Sequence, residues 1–381
     1  MTKRLEEKKL EQIIQNQSID DISVEEIFGL FREEEELRNY LPDALCQIDP
    51  RDGALILFNS ARAKRPHNDN KINLPNGTIE KSCPVCEGKT TGVVDIARLS
   101  EGYTFINKNL FPILYPHDSP EPQALRQSLY KDSNHHGRVS YGLHFLQWSS
   151  SFHDADWQNL PLEDRVIVLN RLAALERKLL NESQGLMPGS SPLNNGQRTY
   201  GFVSIIKNYG KLVGGSLKHG HQQIAFSNIM PRRFYNNWRF FKRHGAVFSQ
   251  YLLDENPGEL LIRDYGKAVL MVPYFMRRPY DMILVVKDTS KKHLFQLDVQ
   301  EQESVAEGIH DAIKVTLHIM PQLGKDTAYN FTVNNGPGAG LYFEFLPYTQ
   351  EKGGFEHLGL WICQDNPIHV VDRIKETLEE L

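Results

Sequence analysis

Cysteine is scarce in this chain, with four among 381 residues, and two of the four share one Cys83-Pro84-Val85-Cys86. That number excludes a disulfide framework and points to a reducing cytoplasm. Long apolar runs are missing as well. Ala268-Val269-Leu270-Met271-Val272 and Met282-Ile283-Leu284-Val285-Val286 fall far short of the roughly 20 residues that span a bilayer, so no membrane segment is expected. The start, Met1-Thr2-Lys3-Arg4-Leu5-Glu6-Glu7-Lys8-Lys9, is charged and leads into no apolar core, which excludes a secretory signal there. Positive charge is not in surplus either. A formal net charge of −5 and a pI near 6.3 exclude a general nucleic-acid binder, which needs a basic face to displace counterions. A small anionic ligand needs only a local cluster of cations.

What is present is concentrated in His219-Gly220-His221-Gln222-Gln223. In an extended segment, side chains repeat every two residues, so His219, His221 and Gln223 share one face. Upstream, Asn208-Tyr209-Gly210-Lys211-Leu212-Val213-Gly214-Gly215-Ser216 is a glycine-rich turn whose backbone N–H groups are suited to phosphate. Imidazole near such a turn points to nucleophilic catalysis at phosphorus, with a covalent phosphoramidate splitting one substitution into two. His221 is the candidate nucleophile. Gln223 is the candidate amide donor to a nonbridging phosphate oxygen, where charge builds up in the transition state.

The remaining chain organises around a weak duplication. Residues 1–43 read as a helical extension, with Leu10, Ile13 and Ile14 at i, i+3, i+4 and Ser23 with Glu26 as a capping box. From residue 44 the pattern is α+β. A strand over 143–148, then His153, a helix over 163–180, a strand over 202–206, the glycine loop and the histidine strand follow in order. The same order returns as a strand over 282–286, His293, a helix over 300–320, a strand over 329–333, a glycine-rich 334–340 and a strand over 341–345. At the histidine positions the second copy carries Tyr342 and Glu344. The expected division is therefore 1–43, a chemistry-bearing half over 44–235, and a half over 236–381 released from that chemistry. The 334–340 stretch lacks the Gly-Lys-Ser or Gly-Lys-Thr of a P-loop and reads as a flexible connection.

Cys83 and Cys86 have the spacing of two thiolates on one tetrahedral zinc. Two more ligands are then required, and His153 and His219 are the candidates that the duplicated topology brings together. A redox dithiol and a plain structural turn are the alternatives. Ala61-Arg62-Ala63-Lys64-Arg65-Pro66 puts three cations in four residues, which suits phosphate through the planar guanidinium fork or reads simply as a solvated turn. Arg277-Arg278 before Pro279 poses the same choice.

Asp49-Pro50, Asn59-Ser60-Ala61-Arg62-Ala63-Lys64-Arg65-Pro66, Cys83-Pro84-Val85-Cys86, Asn109-Leu110-Phe111-Pro112 and residues 208–223 together resemble, in order, the galactose-1-phosphate uridylyltransferase branch of the histidine-triad superfamily. The resemblance implies two tandem histidine-triad-like halves, each an antiparallel sheet with packed helices. It makes His221 the nucleophile of a nucleotidyl-histidine intermediate and Gln223 its phosphate partner. Cys83, Cys86, His153 and His219 become a structural zinc site. Arg62, Arg65, Asn109, Phe111, Asn208, Gly214, Gly215 and Ser216 stand where the family holds the nucleotide and its phosphates. The H-x-H-x-Q form resembles the transferase branches rather than the hydrolases.

Two departures refine this. Tyr342 and Glu344 replace the family's second H-x-H, so that further metal site is expected to be absent. Gly353-Gly354-Phe355-Glu356 resembles the ADP-glucose phosphorylase branch, which is near enzymes acting on adenylyl sulfate and phosphate. Arg277, Arg278, Gly354 and Phe355 then form the acceptor side. The implied activity is ping-pong transfer of a nucleoside monophosphate, AMP before UMP, from ADP-glucose or adenylyl sulfate to phosphate. The alternatives are uridylyl transfer to a hexose 1-phosphate, hydrolysis, and a non-catalytic nucleotide-binding regulator. A homodimer is implied by the resemblance alone.

Overall fold

Ser23 accepts a hydrogen bond from the Glu26 N–H at 3.2 Å while Glu26 Oε2 accepts from the Ser23 N–H at 2.8 Å. That reciprocal cap starts helix α2 (Val24–Glu33), whose Val24, Ile27, Phe28 and Phe31 are buried. The periodicity of those four residues made the helix legible in advance. The computed structural model describes residues 3–64, 71–74, 77–80, 82–117, 126–127, 137–187 and 200–381. The chain divides into two units, Met1–Asp154 with Arg171–Ile205 and His219–Asn236, and Ala155–Asn170 with Ile206–Lys218 and Asn237–Leu381.

Unit 1 begins with α1 (Glu7–Ile13) and α2, followed by β1 (Leu45–Ile48), β2 (Leu55–Phe58), β3 (Lys71–Leu74), β4 (Gly77–Glu80), β5 (Val93–Arg98), β6 (Tyr103–Lys108), β7 (Arg126–Gln127), β8 (Gly137–Val139) and β9 (Gly142–Trp148). Residues 171–182 of α3 (Leu162–Glu182), the first part of β10 (Phe202–Tyr209) and β11 (His221–Ser227) complete it. Its main sheet runs β5-β6-β9-β11-β10, and a smaller sheet runs β2-β1-β8-β7. The N-terminal helices belong to the core of this unit. Phe31 meets the Phe145 ring edge-on at 4.9 Å, and buried Asp95 on β5 accepts from the Ile19 N–H at 2.8 Å and from Arg171 at 2.5 and 2.8 Å. A buried carboxylate with three donors is held in place by them, since an unpaired charge there is costly.

Unit 2 contains residues 237–244 of α4 (Arg232–His244), then α5 (Phe248–Glu255), β12 (Leu261–Asp264), β13 (Ala268–Met271), β14 (Met282–Val286), α6 (Val299–Gln322), β15 (Tyr329–Asn334), β16 (Tyr342–Pro347), α7 (Gly354–His357) and α8 (Pro367–Glu380). Its sheet runs β12-β13-β14-β16-β15, antiparallel throughout. Both sheets thus have the order first-second-third-fifth-fourth, with a long helix between third and fourth. Strand β14 is buried along its whole length, which explains why it reads as a continuous apolar run rather than an alternating one.

The 334–340 stretch differs from the flexible connection expected. It is largely buried, and the Phe248 and Ser249 N–H groups donate to Gly338 O and Ala339 O at 2.9 and 2.8 Å. The start of α5 has orphan donors, and this turn supplies the acceptors. No described helix is long and apolar enough to cross a membrane.

Candidate active site and metal centre

Strand β11 pairs antiparallel with β9, placing His221 opposite Trp148, Gln222 opposite Gln147 and Gln223 opposite Leu146. The alternation sorts the polar residues by face. Gln222 points the other way, donating to Gln147 at 3.3 Å and accepting from Ser149 Oγ at 3.1 Å. His221 lies against Trp148 with ring centroids 4.9 Å apart. Its Nδ1 is 2.9 Å from the His219 carbonyl oxygen. A carbonyl only accepts, so Nδ1 carries the proton and the lone pair sits on Nε2. Gln223 makes no side-chain hydrogen bond among the described residues, so its amide has donors to give.

His219 is set by the same device. Its Nε2 lies 2.8 Å from the Ser150 carbonyl oxygen, which puts the proton there and turns the Nδ1 lone pair towards Cys83 Sγ at 3.8 Å and Cys86 Sγ at 3.6 Å. His153 Nδ1 is 3.6 Å from Cys86 Sγ. The ligand atoms of Cys83, Cys86, His153 and His219 all lie within 4.8 Å of one another, and among the described residues this is the group suited to a metal ion. Tetrahedral zinc with Zn–S near 2.3 Å and Zn–N near 2.05 Å has S···N edges of about 3.6 Å, so the donor set and spacing fit. Burial pushes the Cys83 thiol up, while the adjoining His153 and His219 imidazoles bring it down to about 5. Burial and the neighbouring Cys83 thiolate push Cys86 up to about 12. Two adjacent half-buried thiols cannot both ionise without a cation, which a divalent metal supplies.

Around this face, unit 1 builds a latched turn. Asn109 Nδ2 reaches the His144 ring at 3.2 Å, its Oδ1 accepts from the Phe111 N–H at 2.9 Å, and the Ile113 N–H donates to His144 Nδ1 at 3.1 Å. Arg62 donates to the Phe111 carbonyl at 2.9 Å, and the Tyr40 ring packs on Phe111 at 4.4 Å. The side chains of Asn109 and Arg62 are therefore engaged in shaping the turn that carries Phe111. Arg65 lies outside the described residues.

Asn208, Gly214, Gly215 and Ser216 belong to unit 2. There the Asn330 amide donates to Asn208 Oδ1 at 2.8 Å. The Gly214 and Gly215 N–H groups donate to Lys211 O and Gly210 O at 3.1 and 2.9 Å, closing the turn on itself. Gly210 has φ +89°, and a Cβ on it would strike the Thr327 carbonyl, so both conformation and space require glycine.

The acceptor-side candidates also fall in unit 2. Arg277 lies over the Trp361 ring at 5.1 Å, where Lys352 also sits at 5.4 Å, and Arg278 lies over Tyr348 at 5.6 Å. Buried Asp281 accepts from the Arg278 N–H at 3.2 Å, and burial pushes its carboxyl up to about 7 against the pull of Arg278. Tyr280 between them adopts φ +71°, a left-handed conformation rare for an aromatic residue. Phe355 on α7 is 57% exposed. Trp148, His144, Ser150 and Asp281 were not singled out from sequence. Trp148 ended an apolar strand and carried no signal beyond that, and a backbone carbonyl such as that of Ser150 has none at all.

The fold is that of a solved uridylyltransferase, with a TM-score of 0.64 at 22% identity, covering 88% of this chain and 99% of that one. A curated ADP-glucose phosphorylase of Arabidopsis thaliana is 22% identical over 349 residues, 86% of this chain and 90% of the relative. The structure of an ADP-glucose phosphorylase from Arabidopsis thaliana with bound ADP-glucose matches with a TM-score of 0.58 at 18% identity, over 87% and 98% of the two chains. No protein-family model matches. The chain is thus similar over most of its length to an ADP-glucose phosphorylase and has the α+β fold of the uridylyltransferases; the proteins it resembles are enzymes of the nucleotidyltransferase type.

Proposed function

We propose that the chain is a ping-pong nucleotidyltransferase that passes a nucleoside monophosphate, AMP by preference, from a nucleoside diphosphate compound such as ADP-glucose or adenylyl sulfate to phosphate. The observation that carries this is the tautomer of His221, whose Nδ1–H is held by the His219 carbonyl at 2.9 Å. In the first half-reaction the Nε2 lone pair attacks the α-phosphorus. The Nε2–P bond forms as the P–O bond to the leaving group breaks, and hexose phosphate or sulfate departs with that electron pair. In the second, an oxygen of the acceptor phosphate attacks the same phosphorus and the Nε2–P bond breaks, returning neutral imidazole. The proton stays on Nδ1, donated to the His219 carbonyl, throughout. Gln223 offers its amide N–H to the nonbridging oxygens.

Arg62, Arg65, Asn109, Phe111, Asn208, Gly214, Gly215 and Ser216 are assigned to holding the nucleotide, and Arg277, Arg278, Gly354 and Phe355 to the acceptor. Cys83, Cys86, His153 and His219 would hold a zinc ion, which supplies rigidity to the strand bearing His221 rather than a reacting ligand. A reducing cytoplasm and a homodimer belong to the same reading.

The test is the intact mass of the protein after incubation with ADP-glucose, UDP-glucose or adenylyl sulfate without acceptor. A gain of one nucleoside monophosphate, lost on adding phosphate or a hexose 1-phosphate and absent in His221→Asn, is the expected result and names base, donor and acceptor. Nucleotide binding without any adduct would overturn it in favour of a non-catalytic regulator, and monophosphate release without acceptor in favour of hydrolysis.

A further inference from the structure

The loop that carries His153 is held from outside by the N-terminal segment. The Leu5 N–H donates to Ser151 O at 2.8 Å and the His153 N–H donates to Lys3 O at 2.9 Å, which makes Arg4 and Phe152 an antiparallel bridge. The Arg4 guanidinium also lies over the Phe152 ring at 5.6 Å. Between Ser149 and His153 the chain is thus gripped on both sides, because Ser150 O binds His219 at 2.8 Å and the Ser149 N–H donates to Gly220 O at 3.0 Å.

The same segment covers the cysteine turn. Gly88, with φ +74°, has no Cβ, and one placed there would lie 3.3 Å from Lys9 Cβ and 3.7 Å from Leu5 Cδ1. Bare glycine lets α1 lie directly on the turn that presents Cys83 and Cys86. Leu5 is 3% exposed, so its side chain is wedged there rather than resting on the surface.

We propose that residues 3–10 act as a strap over the metal centre, fixing His153 through the Lys3 and Leu5 backbone, His219 through the Ser150 carbonyl, and Cys83 and Cys86 through the turn at Gly88. Lys3, Leu5 and Lys9 are positioning residues. They do not ligate; they set how slowly a metal leaves. This rests on the reading of the four side chains as a zinc site.

The experiment measures zinc content of the purified full chain and then zinc release into excess chromophoric chelator, with circular dichroism to verify folding. Leu5→Pro removes the donor to Ser151 O and should release zinc about tenfold faster. Leu5→Ala keeps the N–H but loses the wedge and should fall between it and the parent, which preserves the test if the proline variant does not fold. Ile27→Ala on α2, a buried change in the same N-terminal region, should leave the rate within about twofold. Unchanged release from zinc-loaded Leu5→Pro and Leu5→Ala, or equal acceleration by Ile27→Ala, overturns the strap while leaving the zinc site standing. Absence of zinc from the purified parent overturns both.

Discussion

The two units share a sheet order and differ at the head of the fifth strand. In unit 1 that strand opens with His221, whose Nδ1–H donates to a backbone carbonyl and whose face stays polar. In unit 2 it opens with Tyr342, fully buried in a cluster with Leu252, Val269, Met271, Ile283 and Val285 and donating its hydroxyl to Asn237 at 3.1 Å. Two residues on, Glu344 accepts from Asn334 at 2.9 Å. One scaffold therefore supports two fates. An identical topology fixes where strand ends lie, and a handful of side chains at one end decides whether they fill an apolar core or present an imidazole and an amide.

Substitutions at the two strand heads test that contrast most directly. His221→Asn should lower nucleotidyl exchange by about 10⁴-fold or more, as loss of a covalent nucleophile does, with little change in melting temperature. Retention of full exchange, measured with labelled donor, would falsify the assignment. Cys83→Ser comes next. It should strip the metal, lower stability by several kcal/mol and weaken activity indirectly; metal analysis and chemical denaturation check this, and unchanged zinc stoichiometry would contradict it.

The third effect is confined to unit 2. Because burial raises Asp281 to about 7, the folded chain keeps a proton that the unfolded chain has lost between pH about 4 and 7. Stability then falls as pH rises through that window, by at most about 4 kcal/mol. Asp281→Asn should flatten that slope in denaturation curves taken at pH 5 and pH 8, and a slope identical to the parent's would locate the titration elsewhere. Smallest is Tyr342→Phe, which gives up one buried hydrogen bond and should cost about 1 kcal/mol while leaving exchange within about twofold. A large loss of exchange would show that the second strand head is not merely structural.

Local patterns were the legible part of the molecule. The Ser23–Glu26 cap, the helices α3 and α6 and the strands β14 and β15 could be read because each is signalled within a few residues. The cluster of Cys83, Cys86, His153 and His219 was legible for a different reason. The Cys-x-x-Cys spacing calls for two further ligands, and the duplicated strand order together with the family resemblance picks His153 and His219 from fourteen histidines. The Asp95 to Arg171 bond links residues 76 positions apart, and nothing local announces it. The burial of 334–340 escaped for a related reason, since glycine and asparagine look the same in a loose connection and in a packed turn whose carbonyls cap a helix. The tautomers of His219 and His221 depend on carbonyls, which every residue possesses.

The carbonyl behind His221 has an energetic meaning of its own. A carboxylate in that place would stabilise the positive imidazolium formed when Nε2 bonds to phosphorus, and would deepen the intermediate into a trap. A neutral acceptor orients the ring without that extra pull. In the proposed reaction a nucleotidyl group carried on Nε2 would then be held less deeply than beside a carboxylate, and the barrier to its passage on to the acceptor would be lower.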